Sequence, residues 1–244
     1  MKIDALGLAF KELNGLIRRA VERGVTEIVL INVNGQRYIG AGISEEVDLI
    51  VHGVAGNDLG AFMDGPTIIV HGNGGDAIGN TMNKGRIVVH GNVGDVIGYS
   101  MRGGEIFIRG NAGYRVGVHM KEYLNNIPAI VVGGLVRDFL GEYMAGGRVI
   151  VLGLNVGNDE IIGDYIATGM HGGAIYIRGD VPATKLGVGA KITSTTKEDW
   201  RELRKIIDRY CSVFKIPLSL VLKNNFTKIV PISYRPYGKT YALK

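Results

Sequence analysis

Between residues 47 and 190 the chain repeats one pattern: a short alternation of apolar and polar residues runs into a glycine, turns, and begins again. Aligned on that glycine, the copies fall at Gly53, Gly72, Gly91, Gly110, Gly134, Gly153 and Gly179, with steps of 19, 19, 19, 24, 19 and 26 residues. Four positions earlier stand Leu49, Ile68, Ile87, Ile106, Ile130, Val149 and Ile175; two positions earlier stand Val51, Val70, Val89, Ile108, Val132, Val151 and Ile177. Both columns are aliphatic and rich in β-branched residues, and their period of two is that of a strand. The residue directly before the glycine (His52, His71, His90, Arg109, Gly133, Leu152, Arg178) falls on the opposite, outward side. A second glycine follows seven residues on at Gly60, Gly79, Gly98, Gly117 and Gly141, and with short insertions the last two copies place it at Gly163 and Gly187.

Further apolar columns sit beside the second glycine: Leu59, Ile78, Ile97, Val116 and Leu140 just before it, and Met63, Met82, Met101, Met120 and Met144 three residues after it. Each repeat thus carries three inward sets of side chains between glycine corners, with no room for a helix of ~10 residues. One repeat makes one turn, and stacked turns add parallel strands at ~4.8 Å spacing. The fold expected is an all-β solenoid, a parallel β-helix of about seven turns. Right-handedness is expected because parallel crossovers nearly always take that hand. The glycines lead into further β-turns rather than into a helix N-terminus, so they read as corners and not as a phosphate loop.

The flanks carry helical patterns. Residues 4–23 place Leu6, Phe10, Leu13, Ile17 and Val21 on one face, with Asp4 as N-cap and Gly24 as stop. Asn34-Gly35, between EIVLINV and QRYIGAGI, signals a two-residue hairpin. Residues 1–46 are therefore expected to form a helix–hairpin cap, residues 47–190 the β-helix, and residues 191–244 a C-terminal helix and tail. That helix would open on a Thr195-x-x-Glu198 capping box and bury Trp200, Leu203, Ile207 and Tyr210. The tail FTKIVPISYRPYGKTYALK, with Pro231, Pro236 and three tyrosines, shows no period and is expected along the solenoid or on another subunit. Two excursions interrupt the repeat, at 121–127 and at 155–171. The second carries Asn155, Asn158, Asp159, Glu160, Asp164, Tyr165 and His171, adds nothing to the aliphatic stack, and is expected to contact a partner subunit.

Composition narrows the class. Apolar content of 46% with 21% charged residues belongs to a globular chain. The longest apolar stretch, around Ile127–Val136, is broken by Pro128 and is too short to span a bilayer, and the N-terminus lacks a signal-peptide core. A cytoplasmic address is expected. Net charge of +5 is mild and the basic residues are scattered, which argues against nucleic acid. The single cysteine, Cys211, excludes an internal disulfide or a four-cysteine cluster within the chain.

Chemistry is scarce. His52, His71 and His90, continued by Arg109, form an outward ladder with rings ~5 Å apart. It is either a polar face of stacked neutral imidazoles or a place for a metal; since all members point one way, the convergent geometry and supporting carboxylates of a metal site are missing. Asp58, Asp76 and Asp95 recur near equivalent corners, where Asp is a good turn former, so they read as structure rather than as a paired-carboxylate glycosidase site. No G-x-S-x-G elbow occurs, and Cys211 has no base nearby in sequence. No catalytic, cofactor-binding or metal-ligating residue is assigned.

Units such as GNGGDAIGNTMNKGRIVVHGNVGDVIGYSMRGGEIFIRGNAG resemble the GXGXG repeat domain that closes the large subunit of glutamate synthase. The flanks resemble its free-standing form, in which glutaminase, FMN and iron–sulfur synthase, and β-helix are separate polypeptides. The repeat is similar as well to the β-helix subunit of formylmethanofuran dehydrogenase and to the matching subunit of N-methylglutamate synthase-like enzymes. The resemblance implies a non-catalytic scaffold in glutamate biosynthesis, with no cofactor of its own. FMN and iron–sulfur clusters would reside on partner subunits, and the partners would be a glutamine amidotransferase and the synthase, with homo-oligomerisation possible.

Overall fold

The computed structural model describes residues 1–123, 125–154, 156–157 and 159–233. Its frame is one 11-stranded sheet. The parallel series comprises β1 (Lys2–Asp4), β2 (Glu27–Asn34), β3 (Asp48–Val54), β4 (Asp64–His71), β5 (Lys84–Val89), β6 (Glu105–Ile108), β7 (Ala129–Val132), β8 (Ala145–Val151) and β9 (Gly172–Arg178). Each strand pairs in parallel with the next, and the register puts column on column: Ile68 opposite Ile87, Ile87 opposite Ile106, Ile106 opposite Ile130. Equivalent residues stack because the chain returns to the same position after each coil. The all-β solenoid read from the repeat is the fold.

Every residue of the two inward strand columns is fully buried, as are the five methionines Met63 to Met144. A fourth inward set (Ala55, Val93, Ala112, Val136 and Ile162) closes the remaining corner. The second-glycine column is required twice over at Gly79. Its φ is +69°, and an added Cβ would lie against the Ile106 side chain. In the sixth copy that role belongs to Ala167 (φ +59°), not to Gly163. Gly163 lies earlier in the coil, where the neighbouring Asp164 N–H donates to Asp138 Oδ1 at 3.0 Å. The 26-residue step exceeds the common one by seven residues. The true excursion therefore ends before Ile161, whose carbonyl accepts from Val136 N–H at 3.0 Å, and 161–171 belong to the coil rather than to a loop.

The N-terminal flank differs from expectation in an instructive way. No hairpin forms at Asn34-Gly35. Gly35 N–H donates to Val54 O at 2.8 Å and Tyr38 N–H to Asn57 O at 3.0 Å, so the segment bonds to the coil beside it instead of folding back on β2. Residues 27–43 are one more coil, with Ile28, Leu30, Ile39 and Ile43 extending the inward columns. A bulge between Leu30 and Val33, where Asn32 takes φ 57°, shifts the spacing and hides the repeat. The first helix, α1, spans Phe10–Glu22 with Ala9 at its N-cap, not 4–23. Lys2–Asp4 is drawn into the sheet instead, and Asp4 accepts from Leu6 N–H and from Asn32 Nδ2. Leu13, Ile17, Ala20 and Val21 of α1 cover the open end of the core. Gly24 (φ +78°) ends the helix as expected.

The other end is closed by a change of strand direction. After β10 (Ala190–Thr193) come α2 (Lys197–Phe214), the short α3 (Leu218–Val221) and β11 (Phe226–Pro231). Within the tail the segment FTKIVP is thus a strand, antiparallel both to β9 and to β10. Pro236 and the three tyrosines Tyr234, Tyr237 and Tyr241 lie outside the described residues. The capping box of α2 sits one residue later than Thr195–Glu198: Asp199 N–H donates to Thr196 Oγ1 at 3.2 Å, and Thr196 N–H to Asp199 Oδ2 at 2.7 Å.

Candidate functional site

Helix α2 lies across the outer face of the sheet, from β9 back to β5. Its 18 residues span ~27 Å, enough to cross these five strands at ~4.8 Å each. Leu203, Ile206, Ile207, Tyr210, Cys211 and Phe214 meet the outward residues Val88, Phe107, Val131, Ile150 and Tyr176 in a second buried cluster. Tyr210 packs edge-on to Phe107, and its hydroxyl donates to Ile108 O at 3.2 Å. Burial pushes the Cys211 thiol up to about 11, leaving it protonated and inert at neutral pH.

The histidine ladder is present. His52 and His71 stack with centroids 4.9 Å apart, His71 and His90 at 4.8 Å, and the ladder ends where His90 meets the Phe214 edge at 5.2 Å. Burial, then the neighbouring His71 and Arg109, lower the His90 pKa below its ordinary value. Among the described residues no group of three or more His, Cys, Asp or Glu could hold a metal ion.

The corner acids form backbone-capping ladders, in a register one residue different from the one expected. Asn57, Asp76 and Asp95 are the equivalent positions: Asn57 Oδ1 accepts from Asp76 N–H at 3.0 Å, Asp76 Oδ1 from Asp95 N–H at 2.9 Å, and Asp95 Oδ1 from Tyr114 N–H at 2.9 Å. Asp58 stands one place on and accepts from Asn80 Nδ2 at 3.1 Å. A parallel ladder that sequence reading missed joins Asn73, Asn92 and Asn111 to the next coil at 2.8–3.0 Å. The Gly-Asn pair repeated at 72–73, 91–92 and 110–111 is its visible signal.

Two further constellations arise from the fold. Under the N-terminus of α2, Tyr176 donates to Asp199 at 2.9 Å and Lys228 pairs with it at 2.7 Å, while Arg148 bonds Glu202 at 2.9 Å and Glu122 at 2.7 Å. Burial alone would raise the Asp199 carboxyl, but donors from Lys228, Thr196 and Tyr176 outweigh it and hold the carboxyl below its ordinary range. Burial and the Asp199 charge push the Tyr176 hydroxyl well up. These groups come from β8, β9, β11, α2 and, for Glu122, the first excursion, and they satisfy one another, fastening helix to sheet. On another corner, exposed and half-buried aromatics form a strip of two separate stacks: Tyr99 meets His119 and His119 stacks on Tyr143 at 5.3 Å, while Phe139 stacks on Tyr165 at 5.2 Å with Arg115 over Phe139. Of the residues expected in the sixth-copy excursion, Tyr165 belongs to this strip and His171 to the coil. Glu160 and Asp164 pair with Lys185 at 2.7 and 3.0 Å, Asp159 is exposed beside them, and Asn155 and Asn158 lie outside the described residues.

The fold and its side-chain ladders define a GXGXG-type β-helix. The GXGXG motif family matches residues 17–232, and the chain belongs to that family. It is also similar to Uncharacterized protein MJ1350 of Methanocaldococcus jannaschii, with 48% identity over 98% of this chain and 95% of that protein. No helix among the described residues is long and apolar enough to cross a membrane.

Proposed function

We propose that the chain is a non-catalytic scaffold subunit of a glutamate synthase-type oxidoreductase, bracing a glutamine amidotransferase against an FMN and iron–sulfur synthase. The observation that carries this reading is membership of the GXGXG motif family, matched over residues 17–232. Two features support it. The ionisable groups with perturbed pKa values at Tyr176, Asp199 and Tyr210 are engaged in fastening α2 to the sheet. The exposed strip of Tyr99, His119, Tyr143 and Tyr165 with Arg115 has the Tyr- and Arg-rich make-up of protein interfaces.

Affinity capture of the native protein tests the proposal. Recovery of an amidotransferase and a flavoprotein synthase is the expected result. Recovery of a molybdopterin- or tungstopterin-containing enzyme would transfer the chain to formylmethanofuran dehydrogenase, and a partnerless homo-oligomer would end the scaffold reading. Removing the part of the excursion that lies outside the coil, residues 155–160, should weaken that capture while leaving the melting temperature nearly unchanged.

A further inference from the structure

One column of the solenoid differs from those whose arginines find acidic partners. Arg86 on β5 meets Glu105 on β6 at 2.6 Å, Arg115 meets Glu142 at 3.0 Å, and Arg148 meets Glu122 at 2.7 Å. The column that follows the buried methionines instead reads Asp64, Asn83, Arg102 and Lys121. Its rungs are fixed by Asn83, Arg102 and Lys121 N–H donating to Met63, Met82 and Met101 carbonyls at 2.9, 2.8 and 3.0 Å. Rungs lie ~4.8 Å apart, so Arg102 and Lys121 set two positive charges side by side, which costs free energy unless a negative group is shared between them. Among the described residues neither has a carboxylate partner.

These two cations line a concavity of about 470 Å³ together with Asn83, Tyr123 and Asn126. Its outer wall belongs to the first excursion, which doubles back there: Tyr123 N–H donates to Asn126 O at 3.2 Å and Asn126 N–H to Tyr123 O at 3.0 Å. The nearest acids face elsewhere. Glu122 is turned to Gly147 N–H and Arg148, and Asp64, a rung beyond Asn83, is not part of the lining. What remains is a guanidinium, an ammonium, two carboxamides and a phenol, with no anionic group.

We propose that this concavity binds a small dianion, a phosphate ester or a dicarboxylate. Arg102 presents a planar fork that matches either oxyanion, Lys121 supplies the second charge, and Asn83 and Asn126 supply neutral donors. The space is that of a site for a compact metabolite. Nothing in this inference depends on the scaffold reading.

Titration calorimetry of the full chain tests it, with inorganic phosphate and with succinate as probes. Saturable binding at one site, weakened by added NaCl, is expected for at least one of them. Saturation by phosphate alone assigns a phosphate ester, and by succinate alone a dicarboxylate. The double variant Arg102→Met with Lys121→Met keeps both aliphatic stems and should lower affinity about tenfold or more. Lys191→Met, an exposed cation on β10, should leave it unchanged. Both cations of the site are exposed, so the variants should melt with the wild type; if the double variant does not fold, Lys121→Met alone carries the comparison. The proposal is overturned if neither probe saturates, if removing the site cations changes nothing, or if Lys191→Met weakens binding as much.

Discussion

The two halves of the sheet's outer face are built by the same coils yet differ in what they present. On β3 and β4 the outward residues Ile50 and Ile69 are half-buried and His52 and His71 are exposed. From β5 to β9 the same column holds Val88, Phe107, Val131, Ile150 and Tyr176, all buried beneath α2. Leu152, in the histidine position, is fully buried there too. The inner columns do not change between the halves. The repeat thus decides which side chains point inward, while a single non-repeating helix decides which outward ones leave water.

The most direct way to break this comparison is one substitution made in both halves. Ile150→Ala lies under α2 and should cost about 2–5 kcal/mol, as for other buried large-to-small changes, whereas Ile50→Ala should cost under about 1 kcal/mol. Equal losses in chemical denaturation would mean that α2 does not cover the face. Ile87→Ala, inside the stack, should match Ile150→Ala rather than Ile50→Ala.

The polar fastening of α2 comes next. Asp199→Asn deprives Lys228, whose side chain is 15% exposed, of its charge partner and should cost about 1–3 kcal/mol. Because the folded pKa of Asp199 is depressed, its contribution is present above the ordinary value of 3.8 and is lost as pH falls below it. Acid unfolding of the wild type should therefore be steeper than that of Asp199→Asn, which has no such proton to take up.

Smaller effects belong to the ladders. Asn92→Ala removes the acceptor for Asn111 N–H at a solvent-exposed corner and should cost about 0.5–1.5 kcal/mol, seen as a modest drop in denaturation midpoint. His71→Ala, exposed in the uncovered half, should cost under about 0.5 kcal/mol at pH 8. It should also flatten a pH dependence. His90 has a lowered folded pKa, so the unfolded chain takes up its proton first and stability falls as pH drops below 6.5; removing His71 eliminates one of the causes. An unchanged slope in His71→Ala would show that burial and Arg109 set the effect without His71.

Much of this was legible beforehand, for a physical reason. Stacking places residues 19 apart in contact, so the inward columns, the methionines and the histidine ladder could be read directly. The extra coil at 27–43 was not, because the bulge at Asn32 and Val33 in the first-glycine position disguise it, while Asn-Gly carries a stronger local signal. The Gly163 assignment failed because a left-handed corner residue can be an alanine when the coil on either side holds it, as at Ala167. The Arg148–Glu202 and Tyr176–Asp199 contacts join residues 54 and 23 apart through the docking of α2, and no periodicity encodes them.

The reversal at β11 has a consequence for size. A parallel stack can accept another coil at its growing edge without limit, but here antiparallel β11 is inserted between β9 and β10, so the place beside the last coil is already filled and a further turn cannot pair with β9. Coil number can then change only by insertion within the stack, one whole repeat at a time. The distance from α1 at one end to β11 at the other is consequently quantised in increments of ~4.8 Å. In this molecule α1 and β11 act as end-stops on a ruler, and the separation between them is one that point substitutions cannot tune.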